Sequence, residues 1–298
     1  MSEEMITVGF VFTNLNQAEV TLKALESIEQ NRINIKVSCV VVDNNSTEIE
    51  KKLLEDGAAN FPWAIIVFSE TNLGYFKGLN LGIGKLRQIF LTFDYLVVGN
   101  NDLVFTNDFF SSLENDGENI RSKLVICPDL ITLESEHQNP HIISGVSRFR
   151  EVVWDLYFFN FYLARLISLV ARCVKKWAER PDYKSHHREG FIYQGYGACY
   201  ILTPLFFEVF EDLWSPGFLM GEEFYLAMQL ETVQSQMYYW PALKVYHHDH
   251  TSVNKLPSKK LWEYSKEYHS IYRHFFSPYR ICMRTKETMD SYTNNTLN

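Results

Sequence analysis

Val37-Ser-Cys-Val-Val-Val-Asp-Asn-Asn-Ser46 decides how the rest of the chain is read. Val37 to Val42 is β-branched and apolar with little alternation, the composition of a strand buried on both faces. It stops at an acid, two asparagines and a serine, residues that turn a chain and cap the next helix. Upstream, Ile6 to Phe12 is a similar run, and Ala18 to Gln30 sets Val20, Leu22, Leu25 and Ile28 at helical spacing. Downstream, Ser46 or Thr47 can cap a helix over Glu48 to Glu55, and Ala64 to Phe68 reads as a third strand. Tyr75 to Phe90 reads as a helix despite three glycines, and Tyr95 to Val98 as a strand closing at Gly99-Asn-Asn-Asp102. Strands alternating with helices at this interval predict an α/β fold with a mainly parallel central sheet flanked by helices. In such sheets the ligand sits beyond the carboxyl ends of the strands, where Asp43 and Asp102 are delivered.

The bulk numbers narrow the function. At 298 residues, 46% hydrophobic and 21% charged, the chain has the composition of a folded globular protein. A net charge of −8 lacks the basic footprint of a general nucleic-acid binder, so nucleic acid is excluded as a partner. An acidic protein that binds an anionic nucleotide needs a metal ion or a few placed cations. Five scattered cysteines without a Cys-x-x-Cys pair argue against a disulfide framework or structural zinc at cysteine. With an acidic N-terminus and no visible signal peptide, the expected location is the cytoplasm.

The second half is more mixed. Lys123 to Cys127 predicts a strand, and Glu151 to Arg180 one long helical stretch. Gly190 to Leu202 carries small residues that permit close backbone approach, and Pro204 to Leu213 predicts a helix. A turn at Trp214-Ser-Pro-Gly217 leads to Glu222-Glu223 and another helix. Met237 to Tyr246 predicts a strand that ends in a histidine cluster, and Ser258 to Phe276 a terminal amphipathic helix.

Five clusters can carry chemistry, and each has a plainer reading. Asp43 can cap a helix or accept from a nucleobase or ribose. In Asn72-Leu-Gly-Tyr-Phe-Lys-Gly-Leu-Asn80, Gly74 and Gly78 let a loop pass close to a phosphate or ribose. The segment lacks a G-x-G-x-x-G pattern and follows the third strand, which disfavours a dinucleotide fold. Asn100-Asn101-Asp102 is an ordinary turn or an oxygen-rich cradle for a hard divalent cation. Glu222 and Glu223 are helix-dipole partners, or one of them is a general base. Tyr246-His-His-Asp-His-Thr-Ser252 is a solvated loop or a source of one metal ligand.

Taken in order, these segments resemble the family 2 glycosyltransferases of the GT-A fold, in particular a rhamnosyltransferase-like bacterial subgroup. The resemblance rests on Val40-Val-Val-Asp-Asn-Asn-Ser46, Asn72-Leu-Gly-Tyr75 with Asn80, and Val98-Gly-Asn-Asn-Asp102. It continues with Gly195 to Ala198, Glu222-Glu223, His247 with Ser252, and Tyr272-Arg273. It implies an inverting transfer of a hexosyl or rhamnosyl group from a nucleotide-diphosphate sugar to a saccharide, in O-antigen or capsule synthesis. Donor binding would fall to Asp43, Asn45, Asn72, Gly74, Lys77, Asn80, Asn100 and Asn101. Asp102 and His247 would hold Mn2+ or Mg2+, and Glu223, with Glu222 beside it, would be the base. Asn100 stands where the family has a carboxylate, Glu223 where it usually has an Asp, and Gln229 where an Arg is common. The alternative is a homologue that binds nucleotide-sugar or glycan without turnover. A sugar nucleotidyltransferase ranks last, because Thr13-Asn-Leu-Asn-Gln17 offers neither glycine nor cation after the first strand.

The expected organisation is a donor-binding subdomain over residues 1–125 and an acceptor-binding, catalytic subdomain over 126–255. A helical insertion occupies about 151–188, and a C-terminal helix and tail fill 256–298. The insertion is aromatic in its first part and basic in its second, with Arg165, Arg172, Lys175, Lys176, Arg180, Lys184 and Arg188. Asp155, Asn160 and Arg165 interrupt the apolar run, which argues against a spanning helix. It either packs on the core or at a homodimer contact, or lies at a membrane surface. In the membrane case the acceptor is a lipid-linked saccharide at the inner face.

Overall fold

The computed structural model describes residues 5–90, 92–115, 118–173, 182–248 and 259–275. The N-terminal half follows the alternation of the sequence: β1 (Thr7–Asn14), α1 (Ala18–Asn31), β2 (Lys36–Asp43), α2 (Glu48–Ala58), β3 (Ala64–Phe68), α3 (Tyr75–Ile89) and β4 (Tyr95–Asn100). These four strands are parallel in the order β3-β2-β1-β4. Their two faces feed two cores. Val11, Val40, Val42, Leu96 and Val98 pack against Leu79, Ile83 and Leu86 of α3. Phe10, Phe12, Val41 and Val97 pack with Leu25 and Ile28 of α1. Phe105 meets Phe10 edge-on at 5.2 Å and Phe109 at 5.0 Å, the offset geometry that aromatic quadrupoles favour.

Beyond β4 the sheet becomes mixed. It continues through β5 (Leu103–Phe105), α4 (Asn107–Glu114), α5 (Glu118–Arg121) and β6 (Val125–Thr132). Then come α6 (Arg148–Phe159), α7 (Phe161–Cys173), a 3-10 turn (Asp182–Ser185), β7 (Gly190–Ile192), β8 (Cys199–Leu202), α8 (Pro204–Val209), α9 (Glu222–Glu231), β9 (Met237–His247) and α10 (Lys259–Phe275). β8 runs antiparallel to both β4 and β6, and β9 is parallel to β6. β5 closes one edge against β9, and β7 also pairs with β9. The expected α/β sheet flanked by helices is therefore present, with four parallel strands in its first half and both parallel (β6–β9) and antiparallel pairs beyond them.

Two local expectations change. The long helix expected over Glu151 to Arg180 is broken at Asn160, whose backbone is extended; its Oδ1 accepts from Tyr162 N at 2.8 Å and restarts the chain as α7. The helix expected over Pro204 to Leu213 ends at Val209. Residues 174–181 of the insertion, and Asp249 to Ser252 of the histidine cluster, lie outside the described residues. No helix among the described residues is long and apolar enough to cross a membrane.

Candidate active site

Strand register brings the ends of three strands together. Asn14 of β1 pairs with Asp43 of β2, and Thr13 pairs with Asn100 of β4. A cavity of about 280 Å³ opens over these ends. Its floor is Thr13, Asn14, Asn44 and Asn100 to Asp102; Asn72, Gly74 and Tyr75 with Phe218-Leu219 form its walls.

Asp43 lies beneath this floor. It is fully buried, and its oxygens accept from Asn14 Nδ2 (2.7 Å), Ser46 N (2.8 Å) and Ser46 Oγ (2.5 Å). A direct contact from Asp43 to a ligand therefore requires these bonds to rearrange; as placed, the carboxylate orients Asn14 and the Ser46 turn. Asn14 in turn accepts from Asn101 Nδ2 and Thr21 Oγ1. Asn44, next to Asp43, donates to Gly74 O, while its own Oδ1 is buried without a hydrogen-bond partner beside the cavity. Asn45 is exposed in the left-handed region at φ 67°, a conformation asparagine tolerates, and does not line the cavity.

Asn72 Oδ1 accepts from Gly74 N at 3.0 Å, a tight turn that starts α3. Gly74 has φ 84°, and a Cβ there would lie 1.9 Å from Phe218 O, so only glycine fits. Two residues expected at the donor are not brought to the cavity. Lys77 is exposed on α3, and Asn80 holds the backbone of Leu213 with both ends of its amide (2.7 and 2.9 Å). A side chain one turn along α3 faces the packed C-terminal half rather than the strand ends.

Asp102 comes from the turn before β5, and His247 from the end of β9. β9 lies between β5 and β6, and His247 pairs with Leu103 on one side and Thr132 on the other. His247 Nδ1 lies 2.8 Å from Gln138 Oε1; in the tautomer protonated at Nδ1, Nε2 presents a lone pair. That lone pair faces Asp102 Oδ1 at 3.2 Å, both groups are buried, and the contact is not aligned as a hydrogen bond. A cation bound beside both atoms would relieve this contact. Ligand atoms at right angles on a divalent ion with bonds of about 2.1 Å stand about 3 Å apart, so this pair fits the expected metal.

The acidic pair approaches from the other side. Met220 (φ 75°) and Gly221 (φ 84°) make a left-handed turn into α9. Glu222 is buried and accepts from Met220 N at 3.0 Å; burial, with the neighbouring Glu223 charge adding, pushes its carboxyl up to about 8. Glu223 Oε1 accepts from Gly197 N at 3.2 Å. The carbonyl of the next residue, Ala198, accepts from Asn100 N at 2.9 Å, and Gly197 O accepts from Tyr75 Oη at 2.8 Å. One peptide step thus separates the contact with the strand end at Asn100 from the contact with Glu223. Tyr75 feels both sides: burial raises its phenol well above the ordinary value, and Cys199, Glu222, Asp102 and Glu223 add to the rise. Asp102 from the first half of the chain and Glu222 and Glu223 from the second thus all act on the Tyr75 phenol, while the cavity lining itself includes Asp102 and neither glutamate.

The profile of Glycosyl transferase family 2 matches residues 10–158, half of the chain. The chain belongs to glycosyl transferase family 2. Solved structures with the same fold include GalNAc-T7 with UDP, GalNAc and Mn2+, at TM-score 0.58 and 12% identity, over 98% of this chain and 56% of that one. Another is Staphylococcus aureus TarS 1–349 in complex with UDP-GlcNAc, at TM-score 0.54 and 13% identity, over 99% and 72%. The family 2 chain thus spans little more than half the length of GalNAc-T7. Comparison with curated proteins finds no match.

Sequence reasoning missed Thr13, Asn14 and Gln17, which line the cavity, although the carboxyl-end rule applies to β1 as well as to β2 and β4. It also missed Gln138, whose partnership with His247 spans 109 residues and leaves no local signal.

Proposed function

We propose that this family 2 chain transfers a sugar from a nucleotide-diphosphate sugar to a saccharide hydroxyl with inversion. The observation that supports the proposal is the short bridge Asn100–Ala198–Gly197–Glu223, which ties the candidate base to the strand end that leads into Asp102. Mn2+ or Mg2+ bound by Asp102 and His247 would neutralise the diphosphate as it leaves. Glu223 takes the proton of the acceptor hydroxyl as its oxygen bonds the anomeric carbon. The bond from that carbon to the diphosphate oxygen breaks, and its electron pair leaves with the nucleotide. Asn72, Asn100 and the unpartnered Oδ1 of Asn44 contact the nucleotide, with Asp43 and Asn101 fixing Asn14 beneath them. Tyr75, Phe218 and Leu219 wall the sugar from water.

Two finer features belong to the same reading. The exposed apolar residues of α6 and α7 fall on helical stripes, Phe149, Val152, Leu156 and Phe159, then Tyr162, Leu166, Leu169 and Val170. Residues 148–188 hold nine Lys and Arg against four Asp and Glu in a chain of net charge −8. Such a surface suits an anionic membrane leaflet and a lipid-linked acceptor, as in O-antigen or capsule synthesis at the inner face; a second copy of the chain is the other occupant. The subdomain division stays proposed at about residue 125, although β5 (Leu103–Phe105), which precedes it, already pairs with β9.

The test is donor turnover with UDP-, dTDP- and GDP-sugars, with and without Mn2+, in the parent and in Glu223→Gln. The expected result is one active donor class, metal dependence, and a loss of about 10²- to 10⁴-fold in kcat in the variant with nucleotide binding kept. A Glu223→Gln protein as active as the parent relocates the base or favours the non-catalytic reading, to which Asn100 in place of a carboxylate lends some weight.

A further inference from the structure

Away from the cleft, three side chains from three separate segments converge. Asp129 follows a register shift in β6 at Pro128/Asp129, where the strand bulges against β9. His137 comes from the loop after β6, and His186 directly follows the 3-10 turn that ends the helical insertion. One ligand atom from each lies within 4.8 Å of the other two.

The cluster is held from outside rather than by itself. Asn139 donates to Pro128 O at 2.8 Å and accepts from Tyr196 N at 2.8 Å, which fixes the His137 loop over the bulge. Tyr239 Oη donates to His186 O at 2.6 Å, which fixes the end of the insertion against β9. Within it, His137 Nδ1 sits 2.8 and 3.0 Å from the two Asp129 oxygens, and the His137 and His186 rings stack at 3.6 Å and 17°. Asp129 is buried, while both histidines are partly open to solvent, so the site has a dry anchor and an entrance.

We propose that Asp129, His137 and His186 form a second metal site, for a zinc-class ion, that pins the helical insertion to the sheet. Two imidazole nitrogens and one carboxylate oxygen suit Zn2+ or a neighbouring late transition metal better than Mg2+ or Ca2+, which want more oxygens. Tetrahedral zinc with bonds of about 2.0–2.2 Å spaces its ligands about 3.4 Å apart, and the stacked His137 and His186 rings must turn from their present planes for both lone pairs to converge on the ion. The fourth position opens on the solvent side and takes a water. The site is distinct from the Asp102–His247 pair, but the two communicate: Gln138, next to His137, orients His247. Occupancy would therefore stiffen the loop that aims His247, and join the acceptor-side helices to the cleft.

The test uses the full chain, stripped with chelator and titrated with Zn2+ alone, without nucleotide. Variants are His186→Ala, His137→Ala and, as a control that removes the other pair, Asp102→Asn. Expected are one equivalent of zinc bound by the parent with a rise in Tm, and the same in Asp102→Asn. His186→Ala should bind at least tenfold more weakly and lose the rise, while keeping Mn2+-dependent UDP binding. Cobalt in place of zinc should give visible absorption bands of a four-coordinate ion in the parent and not in His186→Ala. His186 is on the surface, so this variant decides the matter even where His137→Ala fails to fold. Zinc binding and Tm that are indifferent to His186→Ala, or no binding at tens of micromolar zinc, overturn the proposal and leave an ordinary Asp–His pair with a stacked neighbour.

Discussion

Glu222 and Glu223 are adjacent and chemically alike, yet the fold gives them different work. Glu223 reaches the Gly197 amide, and a Cβ on Gly197 would lie 2.8 Å from its Oε1, so the glycine makes room for the carboxylate. Glu222 is turned into the protein, and burial with the adjacent charge raises it from an ordinary 4.5 to about 8. Below pH 4.5 it is protonated in the folded and unfolded chain alike, and its burial carries no electrostatic penalty. Between 4.5 and about 8 the unfolded chain has released a proton that the folded chain keeps, so stability falls as pH rises, by at most about 1.4 kcal/mol per pH unit. Glu222→Gln keeps the buried shape without the titration. Its Tm relative to the parent should rise steadily from pH 5 to pH 8 in thermal melts. A constant difference across that range means that Glu222 does not titrate between the two states. At this scale the sequence was partly legible. A carboxylate after a buried strand is visible in one dimension, as at Asp43 and Asp102. Whether its oxygens are already taken, as Asp43's are by Asn14 and Ser46, depends on partners about thirty residues away or nearer in the turn.

Between elements, α6 of the insertion is tied to α10 by a partly buried network of charged and polar bonds. Arg273 of α10 donates to Glu151 Oε2 and Asp155 Oδ1 of α6, each at 2.6 Å, and to Glu151 O at 2.7 Å. Tyr272 Oη donates to the same fully buried Glu151. Removing the guanidinium leaves a buried carboxylate without its counter-charge, so Arg273→Ala should cost about 3–5 kcal/mol in denaturant unfolding. Adding Glu151→Gln should recover a large part of that loss; a double variant no better than the single one would falsify the charge argument and point to packing. The opposite surface of α6 and α7 leaves Phe159 78% and Tyr162 77% exposed. Replacing Phe159, Tyr162 and Leu166 with Asp should abolish co-sedimentation with phosphatidylglycerol vesicles while leaving donor hydrolysis intact. Unchanged sedimentation, or a parent that is a dimer in solution and a triple variant that is a monomer, moves the surface to the second-copy reading. The elements themselves were legible where composition and period agree, as in β1 to β4 and α3. They were not where tertiary pairing decides: β5 has three residues, β6 carries Pro128, and the insertion breaks at one asparagine.

At the scale of the molecule, the cleft is a joint between a parallel half and a mixed half, welded where β4 meets β8 antiparallel from Leu96↔Leu202 to Gly99↔Cys199. The floor of the cleft comes from the first half, and His247, Gln138, Gly197 and Glu223 come from the second. Nucleotide and metal together should therefore stabilise the chain more than the sum of either alone, because a cation held as proposed would span Asp102 from one half and His247 from the other. A ligand at a hundred times its Kd adds about 2.7 kcal/mol to the unfolding free energy. For a chain of this length that corresponds to a Tm increase of roughly 4 °C. The expected pattern in calorimetry is a small rise with Mn2+ alone, a small rise with UDP alone, and a larger joint rise. Asp102→Asn should return the joint value to the sum of the separate ones. A joint rise that is additive in the parent, or that survives Asp102→Asn intact, places the ion elsewhere and breaks the link between the two halves on which the transfer depends.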